Sequence, residues 1–392
     1  MAKKKSDRGE SYRPATSLVL AGRSPYEYEG FVNTPLYRGS TVLYETYDDL
    51  VHHRNKYAYG RRGSPTLNAL SGALADFEKS AGVLLTPSGL SAISTALLAV
   101  VKAGDHILVA DTVYRPTRVI CEGVLKRLGV ETTYYDPLIG DGIRSLFKPN
   151  TRAVFTEAPG SQTFEMSDIP AIAKAARDNG AISLMDNTWA TPLYFRPHEH
   201  GIDISIQAGT KYLGGHSDIN LGTISVNKEH YPRVLATHGD LGINPGPEDV
   251  YLALRGLRTM GIRLERHMES GIRVAKWLQS RPEVLRVLHP ALESDPGHAI
   301  WKRDFSGACG LFSFILKPEA AKNIGAFFDE LALFGMGYSW GGFESLAIPF
   351  DCSGYRTATK WNPGGPAVRL HIGLEDPDDL ITDLAEGLAK LG

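Results

Sequence analysis

Val83-Leu84-Leu85-Thr86-Pro87-Ser88-Gly89-Leu90-Ser91-Ala92-Ile93-Ser94-Thr95-Ala96-Leu97-Leu98-Ala99-Val100-Val101 joins a short apolar run to a longer one through a Pro-Ser-Gly turn. This spacing predicts a strand over 83–86 and a helix over 91–101, closed by Gly104. The alternation continues downstream. Strands are expected at 106–110, 131–135, 153–156, 181–185, 202–206 and 223–226, and helices at 116–128 and 169–179, each stopped by glycine. Such a series implies an α/β fold whose mostly parallel, seven-stranded sheet is sandwiched by helices. Ligands in these sheets sit beyond the strand C-termini, so residues just after strands come under first suspicion.

Outward from this block the pattern changes on both sides. The first 80 or so residues have no clear period and are rich in Tyr, Arg, Gly and Pro. So long an irregular stretch rarely supports itself in a compact domain, so residues 1–65 are expected to form an extended arm that wraps a neighbour, with a flexible surface arm as the alternative. Met1-Ala2-Lys3-Lys4-Lys5 reads as a solvated, frayed tail, with no apolar signal core behind it. The central domain is assigned to 66–257. A smaller α+β domain, 258–392, follows a long helical region that begins near Glu248 and runs to Ser280. Within that domain we expect a strand at 310–316, a helix at 318–333, a strand at 368–372 and a final helix opened by Asp376-Pro377.

Composition narrows the class without deciding the chemistry. The chain has 392 residues, 42 Lys+Arg against 44 Asp+Glu, and a formal charge of −2. Proteins that grip nucleic acid or anionic membrane need a cationic surplus, so neither partner is expected. Three dispersed cysteines, Cys121, Cys309 and Cys352, exclude a disulfide scaffold and suit a reducing cytoplasm.

Three strand-end stretches carry the chemistry. In Ala208-Gly209-Thr210-Lys211-Tyr212-Leu213-Gly214-Gly215-His216 a lysine leaves a buried strand into a small-residue loop. Desolvation there favours the free amine that a Schiff base requires, although a lysine snorkelling to water fits the same letters. In Ala181-Ile182-Ser183-Leu184-Met185-Asp186-Asn187-Thr188 an aspartate ends an apolar strand, where it could hold a cationic ring nitrogen or merely cap the next segment. Ser88-Gly89-Leu90 opens the helix of the first quoted stretch, offering unpaired N–H groups to a phosphate or using Ser88 only as an N-cap. Together a phosphate cradle, an anionic partner for a ring and a Schiff-base lysine match the contacts of pyridoxal phosphate (PLP). No Walker or Rossmann glycine pattern is present.

The chain resembles the Cys/Met-metabolism family of PLP-dependent enzymes, which have the aspartate-aminotransferase type of fold, over essentially its whole length. The resemblance is carried by Tyr59-Gly60-Arg61-Arg62-Gly63, Asp186-Asn187-Thr188-Trp189-Ala190, Thr210-Lys211-Tyr212-Leu213, Tyr338-Ser339-Trp340-Gly341-Gly342 and Arg369-Leu370-His371-Ile372-Gly373-Leu374-Glu375-Asp376. It implies that Lys211 is the Schiff-base lysine and general base, and that Asp186 pairs with the pyridine nitrogen. Gly89, Leu90, Ser88 and Thr210 would hold the phosphate. Ala208 stands where many members have a phosphate-binding serine. Tyr59 and Arg61 would reach phosphate and substrate from an adjacent subunit, making a dimer the smallest active unit and a homotetramer of dimers the expected assembly. Tyr114 would stack on the ring and help protonate the leaving group. Arg369, whose fork suits a carboxylate, would bind the substrate beside Ser339 and Trp340. The tryptophan in Tyr338–Gly342 favours the carbon–sulfur β-elimination branch, with L-cystathionine cleaved to homocysteine, pyruvate and ammonia. The γ-lyases, γ-synthases and broader cysteine-conjugate lyases remain alternatives.

Two further patterns compete. Gly337-Tyr338-Ser339-Trp340-Gly341 also fits a nucleophile elbow, with Asp351 and His371 following in hydrolase order. A helix-like 326–334 precedes it where an elbow needs a strand, so a serine hydrolase is the distant alternative. His52-His53 and His198-Glu199-His200 lack metal-ligand spacing and read as solvated loop residues. Cys121, on a helix, reads as a small buried hydrophobe.

Overall fold

The computed structural model describes residues 12–392, so the expected lysine tail lies outside the described residues. Seven strands form the large sheet: β1 (Gly82–Thr86), β2 (His106–Ala110), β3 (Glu131–Tyr135), β4 (Thr151–Glu157), β5 (Ile182–Asp186), β6 (Ile204–Ala208) and β7 (Gly222–Val226). Their order across the sheet is β1-β7-β6-β5-β4-β2-β3. Every pairing is parallel except those of β7, which runs against both β1 and β6. The other six strands therefore end on one edge, and β2, β5 and β6 are buried along nearly their whole length, as strands covered on both faces must be.

The helix after β1 begins earlier than expected, at Gly89, because the Ser88 hydroxyl accepts from Ser91 N and caps it. The helix expected at 116–128 is wound as Arg115–Ile120 and then widens to a π turn at Cys121–Leu125. Cys121 is buried there, and burial pushes its thiol up to about 12.

A second sheet holds β8 (Val284–Leu288), β9 (Leu311–Leu316), β10 (Leu346–Phe350) and β11 (Ala367–His371), all antiparallel in the order β10-β11-β9-β8. The helix expected at 318–333 is broken at Asn323 into a tight turn, Pro318–Lys322, and a short helix, Ile324–Glu330. One unbroken helix, Pro247–Gln279, runs through the expected division at 257/258. Leu254, Leu257 and Leu264 on it pack with the large domain's core, whereas Val274, Ala275 and Leu278 pack with β8 and β9. Part of the N-terminal arm is also tied to its own chain, since Leu18 of the helix Pro14–Leu20 is buried beside Leu70, Leu254 and Leu257. Among the described residues no helix is long and apolar enough to cross a membrane.

The two sheets' domains meet through apolar packing of Phe305, Ala308 and Leu311 against Trp189 and Phe195, and through specific polar links. Trp189 Nε1 donates to Leu311 O at 2.9 Å, and Ser313 Oγ donates to Gln162 O at 2.7 Å. The buried Asp111 carboxylate, just past β2, accepts from the backbone N–H groups of Thr357, Ala358 and Thr359. These links seat the small domain over the edge where the parallel strands end.

Candidate active site

That edge gathers the chemistry-bearing side chains. Asp186 is the last residue of β5, and Lys211 lies three residues beyond the end of β6. Thr188 ties the two strand ends together: its hydroxyl donates to Asp186 Oδ1 at 2.6 Å and accepts from Ala208 N at 2.9 Å. Thr188 N also donates to Asp186 Oδ1, which leaves Oδ2 for a further donor. Asp186 is 8% exposed, and burial pushes its carboxyl above the usual range against the pull of Thr188 and Lys211. A buried carboxylate of this kind is stabilised by a cation, so a protonated ring nitrogen fits it.

Lys211 has its charged form disfavoured first by burial and then by the Arg369 guanidinium, with Asp186 opposing, so its ammonium is pushed down to about 8. Its Nζ donates to Ser339 Oγ at 2.7 Å and lies 5.3 Å from the centre of the Trp340 ring. Gly341, at φ +85°, presses against it: a Cβ there would come within 2.9 Å of Lys211 backbone atoms. Arg369, 7% exposed on β11, faces the same cleft. Its Nη2 donates to the carbonyls of Gly337, Tyr338 and Ser339 at 3.3, 3.3 and 3.0 Å, while its buried Nε has no partner. Among the described residues no carboxylate neutralises it. A buried, half-satisfied guanidinium is a receptor for a carboxylate brought by a ligand.

At the start of the helix Gly89–Val100 the Ser88 hydroxyl is spent on the cap, leaving the first N–H groups, of Gly89 and Leu90, as donors for an anion. Gly89 is required by packing, because a Cβ there would sit 2.6 Å from Ala208 Cβ. Ala208 therefore fills the space beside the cradle. The Thr210 hydroxyl, expected on the phosphate, donates to Leu221 O and receives Leu221 N, so it fixes the loop backbone in this structure. The donor set of amine, carboxylate, helix start and guanidinium fits PLP with a bound amino acid.

Tyr114 begins the helix after β2, half-exposed, with the Asp186 and Glu157 carboxylates and Arg369 as its charged neighbours. Its backbone N donates to Glu157 Oε2 at 2.6 Å. Glu157 is a site residue that the sequence reading missed. It ends β4 directly opposite Asp186 in register, and burial followed by Asp186 holds its carboxyl well above the usual range. The signal was available, since an acidic residue closes an apolar strand there just as at Asp186.

Tyr59 and Arg61 are not brought to this cluster within the chain. Arg61 Nη1 donates to Gly239 O at 3.1 Å, and Tyr59 is exposed and paired in an isolated bridge with Thr41. The elbow reading fails on geometry. His371 has both ring nitrogens on backbone groups, the Asp351 carboxylate accepts from Ser353, and the Ser339 hydroxyl faces Lys211. His52 and His53 are exposed as expected, whereas His198 is a correction. It is half-buried, its Nδ1 paired with Ile202 O and its Nε2 with Ser225 Oγ, and so it serves packing beside β6 and β7. Among the described residues no cluster of His, Cys, Asp and Glu could hold a metal.

Comparison with known proteins identifies the family. A family model described as "Cys/Met metabolism PLP-dependent enzyme" matches residues 15–389. The cystathionine beta-lyase of Salmonella typhimurium is 44% identical over 387 residues, 96% of this chain and 98% of its own. The L-alanine/L-glutamate racemase of Wolbachia pipientis is 40% identical, over 95% of this chain and 96% of its own. A crystal structure of cystathionine gamma synthase from Xanthomonas oryzae pv. oryzae, with aminoacrylate and cysteine, matches at a TM-score of 0.89 and 29% identity. It covers 97% of this chain and 99% of that one.

Proposed function

The chain belongs to the Cys/Met metabolism family of PLP-dependent enzymes, and from that premise we propose that it cleaves L-cystathionine by β-elimination. With one water consumed, the products are L-homocysteine, pyruvate and ammonia. The observation that carries the reading is the desolvated Lys211 amine, hydrogen-bonded to Ser339 beside the unneutralised Arg369.

Lys211 would carry the cofactor at Nζ, Asp186 would face its ring nitrogen, and the Gly89 and Leu90 N–H groups would hold its phosphate beside Ser88 and Thr210. When bound, PLP supplies an electron sink that makes the proton on the substrate's α-carbon acidic. The residues of the chain do the rest. Arg369 binds the α-carboxylate, with Ser339 and Trp340 alongside. Lys211, whose amine is uncharged over a useful fraction of molecules near neutral pH, removes the α-proton. The same amine, together with the Tyr114 hydroxyl, returns a proton to the departing sulfur. Asp186 keeps the ring nitrogen protonated throughout. Glu157 holds the backbone of Tyr114 and so sets where its ring lies.

Tyr59 and Arg61 reach the phosphate and substrate from a neighbouring copy in a dimer, and dimers pair into a homotetramer. The support is the irregular arm, in which Tyr59 is exposed and bridged to Thr41, and the Arg61 guanidinium, which bonds Gly239 O within its own chain. The three unpaired thiols suit a cytoplasmic location.

Product identity tests the reaction. Purified enzyme given L-cystathionine is expected to release pyruvate and homocysteine in equal amounts. Release of 2-oxobutyrate and cysteine would assign γ-elimination instead. Inversion of alanine or glutamate without any oxo acid would assign racemisation, which needs the same proton removal by Lys211.

A further inference from the structure

His371 ends β11 two residues after Arg369 and on the same face. It is fully buried, and both ring nitrogens meet backbone groups whose roles are fixed. Gly341 N can only donate, so Nε2 accepts from it at 3.0 Å; Glu344 O can only accept, so Nδ1 donates to it at 3.0 Å. The imidazole is therefore neutral and held as the Nδ1–H tautomer. Its surroundings reinforce that state: His267 and Tyr212 pack against the ring, and Lys211 and Arg369 are the nearby cations. An imidazolium would set an N–H against the N–H of Gly341.

The stretch that His371 grips is the one over Lys211. Residues 337–342 belong to no helix or strand. Among the described residues their backbone makes hydrogen bonds only to Arg369, through the carbonyls of 337–339, and to His371, through Gly341 N. This segment supplies Ser339 to the Lys211 amine and Trp340 to its flank. A carboxylate that takes up the Arg369 guanidinium competes with those three carbonyls. His371 then remains as the backbone anchor.

We propose that His371 is a positioning residue: a neutral imidazole splint, spanning Gly341 N and Glu344 O, that keeps Ser339 and Trp340 in register over Lys211 while Arg369 is engaged by substrate. The proposal rests on the reading of Arg369 as the substrate-carboxylate receptor.

The test compares His371→Phe, which keeps ring volume and loses both hydrogen bonds, with His371→Gln, whose amide supplies one donor and one acceptor. Two readouts are taken. Hydrogen exchange of the peptide spanning 337–344 is followed in cofactor-free protein, where no catalysis is involved. Steady-state kinetics with L-cystathionine are followed in the loaded enzyme. In His371→Phe the segment is expected to exchange at least about tenfold faster, and KM to rise about tenfold while kcat stays within about threefold. His371→Gln is expected to restore most of both. Should the Phe variant not fold, His371→Leu takes its place. Wild-type exchange and KM in the Phe or Leu variant would overturn the proposal, as would failure of Gln to rescue either. A wild-type enzyme that does not cleave cystathionine would sink the proposed function, yet the exchange experiment would still decide the splint.

Discussion

At the scale of single residues, position relative to a strand end made the chemistry visible, and hydrogen-bond partners decided what each side chain does with it. Lys211, Asp186 and Arg369 were legible because each is a charge beside an apolar run, a placement that costs free energy unless a ligand offsets it. The structure puts all three in one cleft, with Lys211 down to about 8 and Arg369 down to about 10 through burial. Glu157 carried the same signal and was overlooked because the expected strand stopped at residue 156, one short of its true end. His371 shows the opposite limit. Its order after Ser339 and Asp351 suggested a hydrolase base, but the backbone groups of Gly341 and Glu344 that it bonds come from elsewhere in the fold. No local pattern encodes such partners.

At the scale of elements, the β1–helix unit is both the best-read part of the fold and the most constrained. The close approach of Gly89 to Ala208 holds the helix start against the end of β6. Gly89→Ala should force them apart, costing about 1–3 kcal/mol of stability and weakening PLP retention by about tenfold or more. Equilibrium dialysis and thermal unfolding of the cofactor-free protein measure the two effects. Unchanged cofactor affinity would show that this helix start is not the phosphate cradle. Elsewhere the 3.6 and 2.0 periods identified the large sheet's strands to within about two residues. They missed β8 and β10, short strands of the small sheet, the latter containing Pro349, a residue that argues against a strand in the sequence. They also could not reveal that β7 runs antiparallel, since direction and neighbour order depend on tertiary pairing.

At the scale of the whole molecule, the long helix Pro247–Gln279 joins the two cores, and the polar bridges at Trp189, Ser313 and Asp111 close the small domain over the strand ends. Within the chain Arg61 bonds Gly239 O and Tyr59 bridges to Thr41, and the proposed assembly completes each site with these residues of a second copy. Mixing Arg61→Ala with Lys211→Ala protein under conditions that exchange subunits should then recover about a quarter of wild-type activity, because half the dimers are mixed and each holds one intact site. No recovery would place the whole site within one chain. The central claim is narrower, that Lys211 is the amine that takes the cofactor, and reductive trapping tests it most directly. Cofactor-free protein is mixed with PLP over a range of pH, reduced with borohydride and digested. A single labelled peptide containing Lys211 is predicted, absent in Lys211→Ala. Only the uncharged amine reacts, so the rate of uptake should climb with pH to about 8 and level off there. Label on another lysine, or uptake still climbing toward the ordinary lysine value of 10.5, would contradict the account.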